Sequence, residues 1–272
     1  MVSESRALTY SRNQAQVVAL AHRELEAFWS TLDLSKPTAA KALLADFMVT
    51  LVDAYGPISG VIAADFYDEM REESGQAGSF SAQLGPDTDP EQVRGSSDWA
   101  AQPLFDETPD QKAALHRFLG STQRLVQEQG RQTIMLSVEL DPAKPRWARM
   151  PIGDTCDWCV MLASRGADYT SRASAVSKSN GGAFHDECDC QPVVIWDGDT
   201  LPYDQQKYLD EYLANTAPKA KTKNGEPASQ GGFTSLTRAQ IENHLRVTEP
   251  LPDSAWRTKQ LARLRARLKE LS

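Results

Sequence analysis

An α+β protein, predominantly α-helical, is expected from three features of this sequence. Apolar residues recur at three- and four-residue steps through most of the first 140 residues. Two short β-rich runs, around Trp147 and Val193, are too brief for helices. Between them lies "CDWCVMLASRGADYTSRASAVSKSNGGAFHDECDC", which holds all four cysteines of the 272-residue chain. The expected division is a helical domain over residues 1–140, a Cys/His metal-binding α+β module over 141–200, and a C-terminal region over 201–272.

In the first helix Val18, Ala21, Leu25, Phe28 and Leu32 stack on one face. "DLSKPT" interrupts the pattern, and Pro37 suits the first turn of the next helix. "AAKALLADFMVTLVDAYG" reads as that second helix, ended by Gly56 and Pro57. "PISGVIAADFYDEMREES" reads as a third, with Ile58, Ile62, Phe66 and Met70 at four-residue steps. Short links between the three predict an antiparallel bundle. Residues 74–108 lose all period and are rich in Gly, Ser, Pro and Asp, which predicts a long loop. Thr108, Pro109 and Asp110 then offer a cap and a first position for a fourth helix reaching Leu140. His22, His116 and His244 have no cysteine nearby and read as ordinary core or surface histidines.

Two prolines precede a short strand over Trp147–Met150, and "QPVVIW" is a second strand. "YDQQKYLDEYLANT" is helical, and residues 217–233 are poor enough in apolar groups for a flexible linker. "LTRAQIENHL" and "DSAWRTKQLARLRARLKEL" read as two final helices, begun by Thr237 and by Asp253 or Ser254.

The net charge of -8, from 29 Lys+Arg against 37 Asp+Glu, argues against sequence-independent wrapping of nucleic acid. The last helix departs from this balance. Arg257, Lys259, Arg263, Arg265, Arg267 and Lys269 face Glu270 alone, a surface for an acidic partner or DNA, or simply a solvated helix face. No run of eighteen apolar residues occurs, so neither a transmembrane helix nor a membrane partner is expected. The polar start "MVSESRALTYSRNQAQ" has no secretory h-region. Folding in a reducing cytosol is therefore expected, where cysteines serve as thiols or metal ligands.

Cys156 and Cys159 form C-x-x-C, and His185, Cys188 and Cys190 form H-x-x-C-x-C. Zinc takes four soft or borderline ligands in a tetrahedron, commonly as two short chelating pairs separated by a loop. Five candidates compete for four places: Cys156, Cys159 and His185 come first, and Cys190 is placed ahead of Cys188. Other chemistries fit the window less well. A redox C-x-x-C leaves the other two cysteines unexplained, and disulfides between the pairs require a long extracellular life. His185 and Glu187 match the H-x-E of zinc nucleobase deaminases, but there P-C-x-x-C follows H-x-E, whereas here C-x-x-C comes first behind Thr155. No G-x-S-x-G, H-E-x-x-H or P-loop is present, and no nucleophile is nominated.

The opening "NQAQVVALAHRELEAFWSTL", with Cys156, Trp158, Cys159, Gly166, Tyr169, His185, Cys188 and Cys190, resembles the Mu F-like minor capsid (head morphogenesis) proteins of tailed phages of actinobacteria. The resemblance runs over about residues 10–200. It implies a virion protein made in the host cytoplasm and acting in procapsid assembly, in the capsid interior or near the portal. Portal, major capsid or scaffold proteins would be its partners, and the cysteine window a structural zinc knuckle. Some members of that family carry a capsid maturation protease assignment, the alternative activity the resemblance brings.

Overall fold

The computed structural model describes residues 4–153, 155–170, 184–216 and 255–271, together with residues 238, 241, 242 and 245. In chain order the elements are α1 (Glu4–Trp29), α2 (Pro37–Glu73), α3 (Pro90–Ala100), α4 (Gln111–Leu140), β1 (Arg146–Met150), α5 (Asp157–Ser164), β2 (Gln191–Ile195), α6 (Gln205–Thr216) and α7 (Ala255–Glu270). A 3-10 turn occupies Gln102–Phe105. Helices around one two-stranded sheet are the α+β class expected from the sequence.

The second and third expected helices are one. α2 runs unbroken for 37 residues through Gly56 and Pro57. An internal proline deletes a donor and crowds the preceding turn, at a cost of about 3 kcal/mol. Burial on both sides of it offsets that cost: Leu51, Val52, Ser59 and Ala63 are sealed from solvent. Gly60 lets α4 approach, since a Cβ there would lie 3.2 Å from Gln129 Cγ. Tertiary packing carries the helix through a local stop signal. An eighteen-residue window of α2 also has a mean hydropathy of 1.5, enough by length and composition to cross a membrane, which the sequence reading did not expect. In the fold, Leu44, Met48, Leu51, Ala63 and Met70 from this helix lie in the core.

Residues 74–108 are not one long loop, because α3 occupies Pro90–Ala100. Asp89 caps it, its Oδ1 accepting from the Glu91 N–H at 2.9 Å, and Pro90 sits in the first turn. Val93, Ser97 and Ala100 form its buried face, and one large apolar side chain among the three leaves almost no period to read. The extended part before it is pinned rather than loose: Ala82 N–H donates to Asp68 (2.7 Å), Gln83 N–H to Ser137 Oγ (2.8 Å) and Gly85 N–H to Thr133 Oγ1 (2.9 Å). Asp110, not Thr108, caps α4, accepting from the Ala113 N–H at 2.9 Å.

Two cores share these helices. In the first, Val18, Leu25, Leu44, Met48, Phe118 and Leu125 join α1, α2 and α4. In the second, Tyr10, Phe66, Tyr67, Met70, Ile134 and Val138 from the same helices pack with Trp147, Leu162, Phe184, Val193, Val194 and Trp196. The second core thus passes across residue 140 into the cysteine module. Asp141 marks the crossing. Its carboxylate accepts from Tyr67 Oη (2.9 Å) and pairs with Arg71 Nε (3.0 Å).

β1 and β2 pair antiparallel, from Arg146 opposite Ile195 to Met150 opposite Gln191. Trp147 also bridges to Tyr169, donating its N–H to the Tyr169 carbonyl at 2.8 Å. α6 carries Leu209 and Leu213 into a third cluster with Ile241 and Leu264. The linker at 217–233, the caps at Thr237, Asp253 and Ser254, and His244 lie outside the described residues. In α7 Arg265 and Lys269 are exposed, and the side chains of Arg257, Lys259, Arg263 and Arg267 also lie outside what is described.

Candidate metal centre

Cys156 is the N-cap of α5, where its sulfur accepts from the Cys159 N–H at 3.4 Å. One turn of helix then brings Cys159 round to the same side, which is how C-x-x-C aims two sulfurs at one place. The second half of the motif lies in the turn that feeds β2. Cys188 N–H closes it onto the His185 carbonyl at 3.2 Å, and Glu187 takes a positive φ of 63° at its apex. The two halves meet as a pair of triads that share Cys159. Cys156, Cys159 and His185 form one, and Cys159, Cys188 and Cys190 the other, with donor atoms in each within 4.8 Å of one another. Cys156 Sγ lies 2.9 Å from His185 Nε2, and Cys159 Sγ 3.5 Å from Cys188 Sγ. Such a set of thiols and imidazole could hold a thiophilic metal ion.

The five residues nominated from the sequence fall in these two triads, with Cys188 and Cys190 both in the second. All four cysteines are unlinked, with Cys156 exposed and the other three buried. His185 Nδ1 lies 2.6 Å from the Asp186 carbonyl, which fixes the ring with Nε2 turned to Cys156. Glu187, the glutamate of H-x-E, is not among the converging donors. Its carboxylate meets His116 Nδ1 on α4 at 3.0 Å.

The thiols are electrostatically unequal. Hydrogen bonds from Cys159 and Cys190, with Arg131 and Arg149 nearby, hold Cys188 far below the ordinary thiol range. The bond with Cys188 pushes Cys159 up to about 12, and bonds with Cys159 and Cys188 push Cys190 well up. Burial raises Cys156, but the Cys159 N–H and His185 together bring it below its ordinary value. Burial lowers His185, yet the Asp186 carbonyl and Cys156 leave it raised.

The other motif residues hold the scaffold. Gly166 has a positive φ of 68°, and a Cβ there would lie 2.8 Å from Gln205 Nε2. Tyr169 packs against Trp147 in a tilted pair with ring centroids 4.7 Å apart. Trp158 stays partly exposed beside a groove of about 240 Å³ between α5 and α6.

The sequence reading missed the contribution of α4. Arg124 Nε pairs with Asp186 at 2.6 Å, Ser121 Oγ donates to the same carboxylate at 3.0 Å, and Gln123 donates to Asp189 at 2.6 Å. Gly120 keeps the approach close, since a Cβ there would lie 3.1 Å from Glu187 Cγ. A signal existed in the chain: His116, Gly120, Arg124, Gln127 and Arg131 recur at three- and four-residue steps, a second helical stripe beside the apolar one.

A "Gene 15 protein" of Mycobacterium phage D29 is 27% identical, over 42% of this chain and 57% of that relative, so the chain matches little more than half of its length. No solved structure matches the chain. Residues 1–215 match the VG15 protein family throughout the helical body, the thiol centre and α6, and the chain belongs to that family of bacteriophage proteins.

Proposed function

We propose that this chain is a minor capsid protein that acts in head assembly and carries a structural zinc ion. The observation that carries the reading is the convergence of the Mu F-like motif. Cys156, Cys159, His185, Cys188 and Cys190 fall in two triads joined at Cys159, with Gly166 and Tyr169 bracing the strands and helix that present them. Three of the thiols belong to the second core. Zinc fits the donor set, and its binding energy would fasten the small β1–α5–β2 unit to the helical body. In this reading Cys159 is a ligand, with three more drawn from the other four.

The partners proposed are the portal and the major capsid or scaffold proteins, engaged through the helices, with α7 offering a basic contact for DNA or an acidic surface. The site of action is the capsid interior or portal region of the virion, reached by assembly in the host cytoplasm. Mass spectrometry of purified virions, with co-purification of tagged protein and portal protein, tests the role. The expected outcome is a low-copy virion component that retains the portal. A protein absent from both procapsids and virions would overturn it. Metal analysis of the purified chain, expected to return about one zinc per chain, tests the centre.

A further inference from the structure

Beneath the thiols lie two arginines that the chain withdraws completely from solvent. Arg131 on α4 and Arg149 on β1 are each 0% exposed. Their guanidinium carbons sit over the ring of Phe184, the residue before His185, at 4.0 and 3.8 Å from its centroid. Arg131 Nη2 donates to the Cys188 carbonyl at 2.6 Å and reaches that of Cys190 at 3.4 Å. Its other acceptor is Gln127 Oε1 at 2.6 Å. All three are neutral oxygens, and Nε and Nη1 of Arg131 have no partner among the described residues. Arg149 Nη1 points at Cys159 Sγ from 3.6 Å.

A buried cation needs negative charge close by; Arg131 feels that of Cys188 and, less strongly, Glu128, while Arg149 beside it adds repulsion. Compensating negative charge at this depth is available on the sulfurs of Cys159, Cys188 and Cys190, each at most 2% exposed. A divalent ion held by three thiolates and an imidazole carries one net negative charge, and one held by four thiolates carries two. The arginine pair matches such a centre in sign and place.

We infer that Arg131 is a positioning residue of the metal centre, and that with Arg149 it supplies the counter-charge of a centre holding at least three thiolates. The inference rests on the metal reading above and adds to it the electrostatic shell. The ligand turn is thereby held from α4, through the carbonyls of the very residues that present sulfur. The module is an outgrowth of the helical body rather than a separate knuckle.

The test uses the full chain and its R131M, R131K and R149M variants. Each is titrated with zinc against a chromophoric chelator and with cobalt(II), whose sulfur-to-metal charge-transfer absorption reports thiolate ligation. The wild type should bind about one metal with a thiolate-rich cobalt spectrum. R131M and R149M should weaken zinc binding by about tenfold or more. R131K should recover part of the loss, keeping the charge but not the fork. Removing metal should shrink the stability lost in R131M, since the metal-free variant gives up the bonds to the Cys188 and Gln127 acceptors but not the pairing with a charged centre. A wild type that binds no metal overturns the metal reading and this inference with it. A wild type that binds metal while all variants stay within about threefold of it overturns the inference alone. So does R131M if it loses as much stability without metal as with it, the mark of a packing role. Should R131M not fold, R131K and R149M decide by the same affinities.

Discussion

Arg71 Nε lies 3.0 Å from Asp141 Oδ2, with the two side chains only 7% and 0% exposed. Tyr67 donates to the same carboxylate, and Arg71 also gathers the carbonyls of Gln76, Ala77 and Gly78. One buried ion pair therefore ties the end of α2, the start of the extended arm and the entry to the cysteine module. Removing one member of a buried pair strands the other, so Asp141→Ala is expected to cost about 3–5 kcal/mol by urea denaturation. Arg6→Ala, at the largely exposed contact with Glu69, should cost under about 1 kcal/mol. Equal effects would show that the Asp141 pair does not carry this role.

Two helical glycines should respond to alanine with opposite signs. A Cβ at Gly130 would meet Ser59 Oγ, and would lie 2.7 Å from the Ser59 carbonyl, a backbone atom that cannot step aside. Gly130→Ala should destabilise by about 1–3 kcal/mol through overpacking of α4 on α2. At Gly95, inside α3, nothing lies within 4 Å, and Gly95→Ala should stabilise by about 0.5–1 kcal/mol. Thermal midpoints of the two variants read both signs.

Cys159 belongs to both triads and the remaining four donors to one each. Cys159→Ser should therefore abolish stoichiometric metal binding, measured by elemental analysis after dialysis. Of Cys188→Ser and Cys190→Ser, one should bind metal more tightly than the other, because four places are open to five donors. A Cys159→Ser protein that keeps its metal would place the ion elsewhere.

Burial at the α1–α4 contact lowers the pKa of His22, against the effect of the Leu119 carbonyl that its Nε2 meets at 2.9 Å. The folded state therefore binds a proton here less readily than the unfolded chain, where the ring returns to about 6.5. Stability from this site is present above that pH and is lost as the pH falls below it. His22→Gln should flatten the decline of the unfolding free energy between about pH 7 and pH 5, relative to wild type. An unchanged slope would remove His22 from the acid response.

Much of this fold was legible because its signals are local. The period of Val18, Ala21 and Leu25 is a property of one helix, and Cys156 and Cys159 are close in sequence for the same reason that they are close in space. Gly56–Pro57 misled because the stop signal is local while the packing that overrides it comes from Gln129, seventy-odd residues away. α3 was hidden by its small buried face of Val93, Ser97 and Ala100. Arg131 continues the polar stripe of α4, but its role was hidden for a further reason: an arginine in a helix reads as surface, and only the fold lays the Cys188 carbonyl against it.

The continuity of α2 gives the molecule a fixed length scale. Leu43 is 53% exposed near one end, and Met70 is buried in the core that holds the thiols near the other. The helical rise separates them by about 40 Å. A single continuous helix sets that distance as a ruler would. A partner bound at the Leu43 end would be held at a set reach from the thiol centre.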